Sequence, residues 1–506
     1  MTSDRGKVLG GRLLECPDRI PRQAEIVIVG GGLAGLEVAR VLEQGGRDDV
    51  LVLEAGPVAD LRHVNQTNDD AISAAKCFSP DTDGHFHRPH GSANRHYRLN
   101  SGLRRRLGGR SLYWHGVVLP IEPWALREPW WPPAVVESLA GSWAGGPSLY
   151  ERVLADLTTW RDLGTPRYPP EREAEVGGLR LSATPMACRS TGEGRWRAYS
   201  PLDHWLPGGA AHGVWRGVRF ACDAEVMSVD VRDGRAAGVS ARHRGTGEAF
   251  RVEAGTVVLA AAAVENARLV IQALAETRAL PEPRLGRMTD HIVQGFVVRL
   301  ADPHGSLPQY LREPASFMAE ADPGTRSYLR LDVHHPAPDE VIVDVRTTGE
   351  QECLPESFIE CVPQETFPWQ TVVRTAMSTR DHEVVAGQRI MLNECWSALG
   401  ADLGLPVAPL EFEEFGKQTR TNTFVLPEFA GQMAPGEPVT WVSLLGTEDH
   451  EGGTLPLGTV LDEQHRLPPV PNVFAAGPTT FPRLGAANPS LTALALARRL
   501  AGVLVG

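Results

Sequence analysis

Residues 24–56 read AEIVIVGGGLAGLEVARVLEQGGRDDVLVLEAG. IVIV has the length and apolar character of a buried strand, GGGLAG is a turn, LEVARVLEQ is an amphipathic helical stretch, and VLVLE is a second strand, so the segment is one βαβ unit. Gly30 permits the tight turn. Gly32 lets the backbone approach a pyrophosphate at the helix N-terminus, and Gly35 allows the helix to pack close to the strand. Glu54 ends the second strand, where a carboxylate accepts hydrogen bonds from an adenosine ribose. Leu33 and Ala34 in the turn, and Ala55 after Glu54, fall in the same contact zone. NAD and FAD share this fingerprint, so the choice between them has to come from elsewhere in the chain.

The rest of the 506 residues bounds the answer. That length exceeds what one core accommodates and implies two closely joined domains. Hydrophobic residues make up 42% and charged residues 22%, a globular balance. The formal net charge of −12 argues against nucleic acid and anionic membranes as partners. Cationic charge rests almost wholly on Arg, with lysines only at Lys7, Lys76 and Lys417, a coding bias that suggests a high-GC bacterium. Seven widely spaced cysteines without a CxxC suggest neither a disulfide framework nor a zinc site. The charged N-terminus lacks a signal-peptide stretch, and no uncharged apolar run reaches about 18 residues, so a cytoplasmic location is expected.

Further along, LRRRLGGRSLYWHGVVLP (103–120) sets glycines and a serine beside arginines and an aromatic pair, which suits either a phosphate and a flat ring or a basic surface loop followed by a strand. Residues 218–276 read as a strand meander returning to the first sheet, then a helix. Alternation in SYLRLDVHH and EVIVDVRTT predicts antiparallel strands, with helix around 382–402. The cluster HFHRPH (His85, His87, His90) invites a metal reading, but no carboxylate or thiolate sits at ligand spacing, and no metal is expected.

The C-terminal region carries the chemistry. DHEGGTLPLG (449–458) puts His450 in a glycine-rich loop, and NVFAAGPTTFPRLGAANPSLTALALA (472–497) runs strand, loop, helix. Asn488 reads as the N-cap and Pro489 as the first helical residue. The positive end of that helix favours negative charge in front of it.

Together these segments resemble the glucose-methanol-choline (GMC) oxidoreductases over nearly the whole length. The family's HxxGTxxxG loop is matched by His450, Gly453, Thr454 and Gly458, with Gly452 where methionine is common. Its second catalytic position, a His or Asn ahead of Pro and Thr, is matched by Asn488, Pro489 and Thr492, as in the pyranose-oxidase-like His/Asn subgroup. GGxS is matched by Gly108, Gly109 and Ser111. The resemblance implies FAD, an α/β fold with a Rossmann-type FAD-binding domain (1–290 and 441–506), and an α+β substrate-binding domain (291–440) whose antiparallel sheet is flanked by helices. It places His115 near the flavin ring, a backbone group at Val226 near adenine, and Gly477 near the pyrophosphate or ribityl chain, with Asn488 and Pro489 also meeting the cofactor. Relatives that attach FAD covalently use a histidine where this chain has Tyr113, so the cofactor is expected to be non-covalent.

A hydride leaves an alcohol carbon readily only as the hydroxyl proton departs, and histidine titrates near working pH, which suits His450 as the base. Asn488 donates to the developing alkoxide, its amide oxygen remaining available to cap the helix. The expected substrate is a small sugar-like or aminoglycoside-like alcohol. The carboxylates of LEFEEF (410–415) and Glu448 suit a cationic one. O2 or another acceptor would take the electrons, and whether the enzyme is an oxidase or a dehydrogenase stays open. A flavin monooxygenase, an NAD-dependent dehydrogenase and a non-catalytic flavoprotein are the alternatives. The first two have no use for HxxGT followed by NPxLT, and retention of both His450 and Asn488 counts against the third.

Overall fold

The computed structural model describes residues 9–506 apart from 15, 69–71, 74–75, 78–81, 94–96, 98–101, 128, 164–166, 214–216, 303 and 416–430. The chain is a mixed α/β protein built on two large sheets. After a two-residue edge strand at Leu13–Leu14, the first runs through β1 (Gln23–Val29), α1 (Leu33–Gln44) and β2 (Asp49–Leu53). It continues with β3 (Gly217–Ala221), β4 (Ala224–Arg232), β5 (Arg235–His243) and β6 (Ala249–Leu259), and α2 (Ala263–Thr277) follows. β3, β2, β1 and β6 lie side by side and parallel, while β5 and β4 fold back antiparallel from β6 as the expected meander.

Period-two alternation explains why these strands are apolar throughout. Val27, Val29, Leu51 and Leu53 enter one core with Val264, Val270 and Ile271 of α2. Ile26, Ile28, Val50 and Val52 enter a second with Leu36, Val38 and Leu42 of α1. A parallel sheet covered on both faces requires this pattern.

The second sheet is antiparallel over β7 (His291–Ala301), β8 (Ala315–Asp322), β9 (Ser327–Ala337) and β10 (Glu340–Glu350). A hairpin at Ala174–Val176 and Leu179–Ala183 extends it on the β8 side. Behind it lies α3 (Thr379–Leu403), started by a reciprocal Ser378–Asp381 capping box, and β11 (Pro438–Val442) pairs with β7. Leu329, Leu331, Val333, Val343 and Val345 pack with Leu392, Trp396 and Leu399 of α3. The alternate residues Tyr328, Arg330, Asp332, Asp344 and Arg346 therefore occupy the opposite face, with Arg330 opposite Arg346 and Asp332 opposite Asp344 across the strands.

The chain then returns to the first sheet. β12 (Val473–Ala475) pairs parallel with β6, and α4 (Ser490–Val505) buries Ala497, Leu500 and Ala501 against the α1 core. Among the described residues no helix is long and apolar enough to cross a membrane.

Candidate active site

A cleft of about 310 Å³ lies between the two sheets and reaches the starts of α1 and α4. It is lined by Gly30, Gly32, Leu33, Ala34, Glu54, Ala55 and Val226 of the first sheet and its turns, by Gly109, Ser111, Tyr113 and His115, and by His450, Gly477, Asn488 and Pro489 of the C-terminal region.

Around the start of α1 the glycines are dictated by space. Gly30 has φ +105°, and a Cβ there would meet the Ala260 carbonyl oxygen at 2.5 Å. Gly32 differs: a Cβ there would project into open space, so what its missing side chain clears is room in the cleft. Glu54 accepts the Gly31 N–H at 2.9 Å and the Gly56 N–H at 2.8 Å, which holds its carboxylate at the cleft wall. Burial raises its pKa to about 7 against those two bonds. The Val226 carbonyl accepts from Arg268 at 3.3 Å.

Two of the expected contact residues stand behind the wall. A Cβ at Gly35 would collide with the Gly30 carbonyl, so this glycine serves helix packing. Gly108, at φ +95°, donates its N–H to the Gly31 carbonyl at 2.8 Å and shapes the turn that presents Gly109. Gly109 would place a Cβ 3.2 Å from Gly32 Cα, so these two glycines bring separate segments together at the cleft.

Elsewhere in the cleft His450 and Asn488 meet, with Asn488 Nδ2 3.3 Å from His450 Nε2. Helix α4 starts at Ser490 with Pro489 in the cap position, one residue later than expected, and no side chain caps it. The Asn488 amide oxygen is not a cap: it accepts the Tyr328 hydroxyl at 2.6 Å. On the other side of His450, Nδ1 lies 2.9 Å from His291 Nδ1, the rings meeting edge to face, and His291 Nε2 lies 3.1 Å from the Gly485 carbonyl oxygen. Burial drives the His450 pKa well below its ordinary value, with His291 adding to the effect, and burial brings His291 to about 4. Both rings are neutral at pH 7. His115, lowered by burial to about 3, is neutral as well.

The His450 loop is pinned by its neighbours. Arg110 of the GGRS segment pairs with Asp449 at 2.9 Å and Glu451 at 2.8 Å. Thr289 and Gly452 exchange both backbone bonds, at 3.0 and 2.9 Å. A Cβ at Gly452 would approach the Pro478 carbonyl oxygen to 2.8 Å, which accounts for glycine where the resembling family carries a long side chain.

No protein-family model matches the chain, and no curated protein is detectably similar in sequence. Among solved structures, pyridoxine 4-oxidase from Mesorbium loti superposes with a TM-score of 0.56 over 95% of this chain and 99% of its own, at 18% identity. This chain is similar in fold to that pyridoxine 4-oxidase. The likeness to pyridoxine 4-oxidase is one of architecture, and the chemistry has to be argued from the side chains in the cleft.

Several of those side chains carry no motif. Arg330 and Arg346 line the cleft from the second sheet, held by Asp332 and Asp344 respectively. Glu448 lines it too; its buried Oε1 has no hydrogen-bond partner among the described residues, and burial raises its pKa against the pull of Arg346 and Arg330. The alternation in SYLRLDVHH marks Tyr328, Arg330 and Asp332 as one polar face, whereas His291 in MTDHIV carries no comparable signal. LEFEEF does not line the cleft: Leu410 and Phe415 are buried in the core and Glu411, Glu413 and Glu414 are exposed.

The HFHRPH histidines do not gather at ligand spacing. His87 and His90 sit on separate short strands, paired with Leu103 and Thr371. Among the described residues two other groups come close enough to share an ion, Asp290–His291–His450 and Asp332–His334–Asp344. In the first, the Asp290 carboxylate already accepts the backbone N–H groups of His291 and Gly446. In the second, both carboxylates are engaged by arginines.

Proposed function

We propose that this protein is a flavin-dependent alcohol oxidoreductase of the GMC type, with His450 as the base for the alcohol proton. One observation carries this reading: a single cleft joins the glycines at the start of α1 to the His450–Asn488 pair. The fold shared with pyridoxine 4-oxidase supports the oxidoreductase class.

The residues fit non-covalent FAD in a Rossmann-type site. Gly32 leaves open space beside the helix start, and Glu54, Gly477 and the start of α4 line the same cleft. Tyr113 occupies the position of a covalent attachment point and its hydroxyl oxygen accepts from Arg106 at 3.2 Å. When bound, FAD supplies the hydride acceptor, which O2 or another oxidant then regenerates.

This chain's own residues handle the proton and the charge. Burial keeps His450 neutral and able to accept the hydroxyl proton at Nε2. Asn488 Nδ2, beside Nε2, donates to the alcohol oxygen as negative charge builds there, stabilising the transition state more than the ground state.

The substrate in this reading is a sugar-like alcohol, and more narrowly an amino-bearing one of the aminoglycoside kind, met in the cytoplasm. Arg330 and Arg346 are matched by Asp332 and Asp344, whereas Glu448 Oε1 is buried without a hydrogen-bond partner, which an ammonium on the substrate would supply. The test is the cofactor itself. The purified protein should be yellow and release FAD on denaturation. A colourless protein that cannot be reconstituted with FAD contradicts the proposal.

A further inference from the structure

Two hydrogen bonds decide where the proton on the His450 ring sits. A carbonyl oxygen only accepts, so the contact from His291 Nε2 to Gly485 O at 3.1 Å puts the hydrogen of neutral His291 on Nε2 and leaves a lone pair on Nδ1. That Nδ1 faces His450 Nδ1 at 2.9 Å. One of the two nitrogens has to donate, and only His450 can. His450 is thereby an Nδ1–H tautomer with its lone pair on Nε2. The opposite side of the ring agrees: Tyr328 takes the Asn488 oxygen, so the group facing Nε2 is the Asn488 NH2, a donor.

We propose that His291 is a positioning residue for the reaction, holding His450 in the tautomer and orientation that present Nε2 to the alcohol. The proposal rests on the reading of His450 as the base. Asp290 strengthens the arrangement from behind, since its carboxylate accepts the backbone N–H of His291 at 2.7 Å and also the backbone N–H of Gly446 in the loop leading to His450. With Thr289 paired to Gly452 on both backbone bonds, the two segments carrying the rings are locked together. When the alcohol proton moves to Nε2, His450 becomes a cation and its Nδ1–H bond to His291 strengthens, because charge-assisted bonds are the stronger kind. A carboxylate orients the base in a Ser-His-Asp triad. Here the orienting ring is neutral, and the nearby carboxylates of Asp290 and Glu451 are held by other donors, the backbone N–H groups of His291 and Gly446 and the Arg110 guanidinium.

The test reads the tautomer directly, in the FAD-loaded full-length protein labelled with 15N-histidine, using His450→Gln to assign the His450 signals. At neutral pH the expected pattern is a protonated Nδ1 and an unprotonated Nε2. His291→Leu should give mixed tautomers and flavin reduction about 10²-fold slower at equal FAD content. His291→Asn, whose oxygen replaces Nδ1 as acceptor and whose NH2 can donate to Gly485 O, should restore the single tautomer and at least tenfold of the rate. An Nε2–H pattern in the unmodified protein overturns the proposal. So does an unchanged tautomer and rate in His291→Leu, or a stoichiometric metal ion lost to chelators together with the His450 pattern. If His291→Leu does not fold, the unmodified protein and His291→Asn decide. Failure of the base reading is a different result: His450→Gln would reduce flavin as fast as the unmodified protein, whatever the tautomer.

Discussion

Tyr328, in the middle of the second sheet, donates its hydroxyl to Asn488 Oδ1 at 2.6 Å and so turns the Asn488 NH2 toward His450 Nε2. The bond reaches from the polar face of β9 to the residue just ahead of α4. It joins the second sheet to the start of α4 at the His450–Asn488 pair.

Tyr328→Phe should leave the fold intact, costing about 1 kcal/mol for the lost bond, because the ring stays packed in its buried position. The Asn488 amide is then free to reverse, and flavin reduction by alcohol should fall roughly tenfold. Stopped-flow absorbance together with thermal unfolding separates the two effects. An unchanged rate would remove Tyr328 from the site.

The pH profile follows from the half-buried, neutral His450. A base works only when unprotonated, so kcat/KM is lost as pH falls through the pKa of the free enzyme. That pKa is held well below 6.5 by burial and by His291. The profile should therefore stay flat from neutral pH down past 6.5 and drop only at more acid pH, a limb that His450→Gln abolishes.

Two glycines of one turn should behave differently. Gly30→Ala forces a Cβ onto the Ala260 backbone at a left-handed φ and should destabilise the protein by more than about 1 kcal/mol. Gly32→Ala meets no protein atom and should unfold at the same temperature, yet bind FAD roughly tenfold more weakly, about 1.4 kcal/mol. Thermal unfolding of the apoprotein and FAD titration check the pair.

Glu448→Gln tests the cationic part of the substrate reading. KM for an amino-bearing alcohol should rise about tenfold or more, the loss expected for a hydrogen bond to a charged group, while a matched neutral alcohol changes little. Equal effects on both would point to a hydroxyl partner for Glu448.

The βαβ unit and the strands of the second sheet were legible because each follows a local period: apolar strands about a glycine turn in one case, strict alternation in the other. The shifts came where a distant group competes for a local one. Asn488 has the sequence position of a helix cap, but Tyr328 claims its oxygen from 160 residues away. Gly108 has the motif position of a cofactor contact, yet its N–H is committed to the Gly31 carbonyl. His291 lies on no motif at all, and its importance appears only when β7 sets it against a loop 159 residues later. Likewise LEFEEF read as a possible attraction for a cation, whereas its apolar residues anchor it in the core, away from the cleft.

The most direct test of the central claim is anaerobic mixing of FAD-loaded protein with a panel of sugars and amino sugars while flavin absorbance is followed, in the unmodified chain and in His450→Ala. The unmodified protein should bleach with at least one member of the panel, and His450→Ala, with the same FAD content, should bleach about 10²-fold more slowly or worse. Bleaching of His450→Ala at the unmodified rate would exclude His450 as the base.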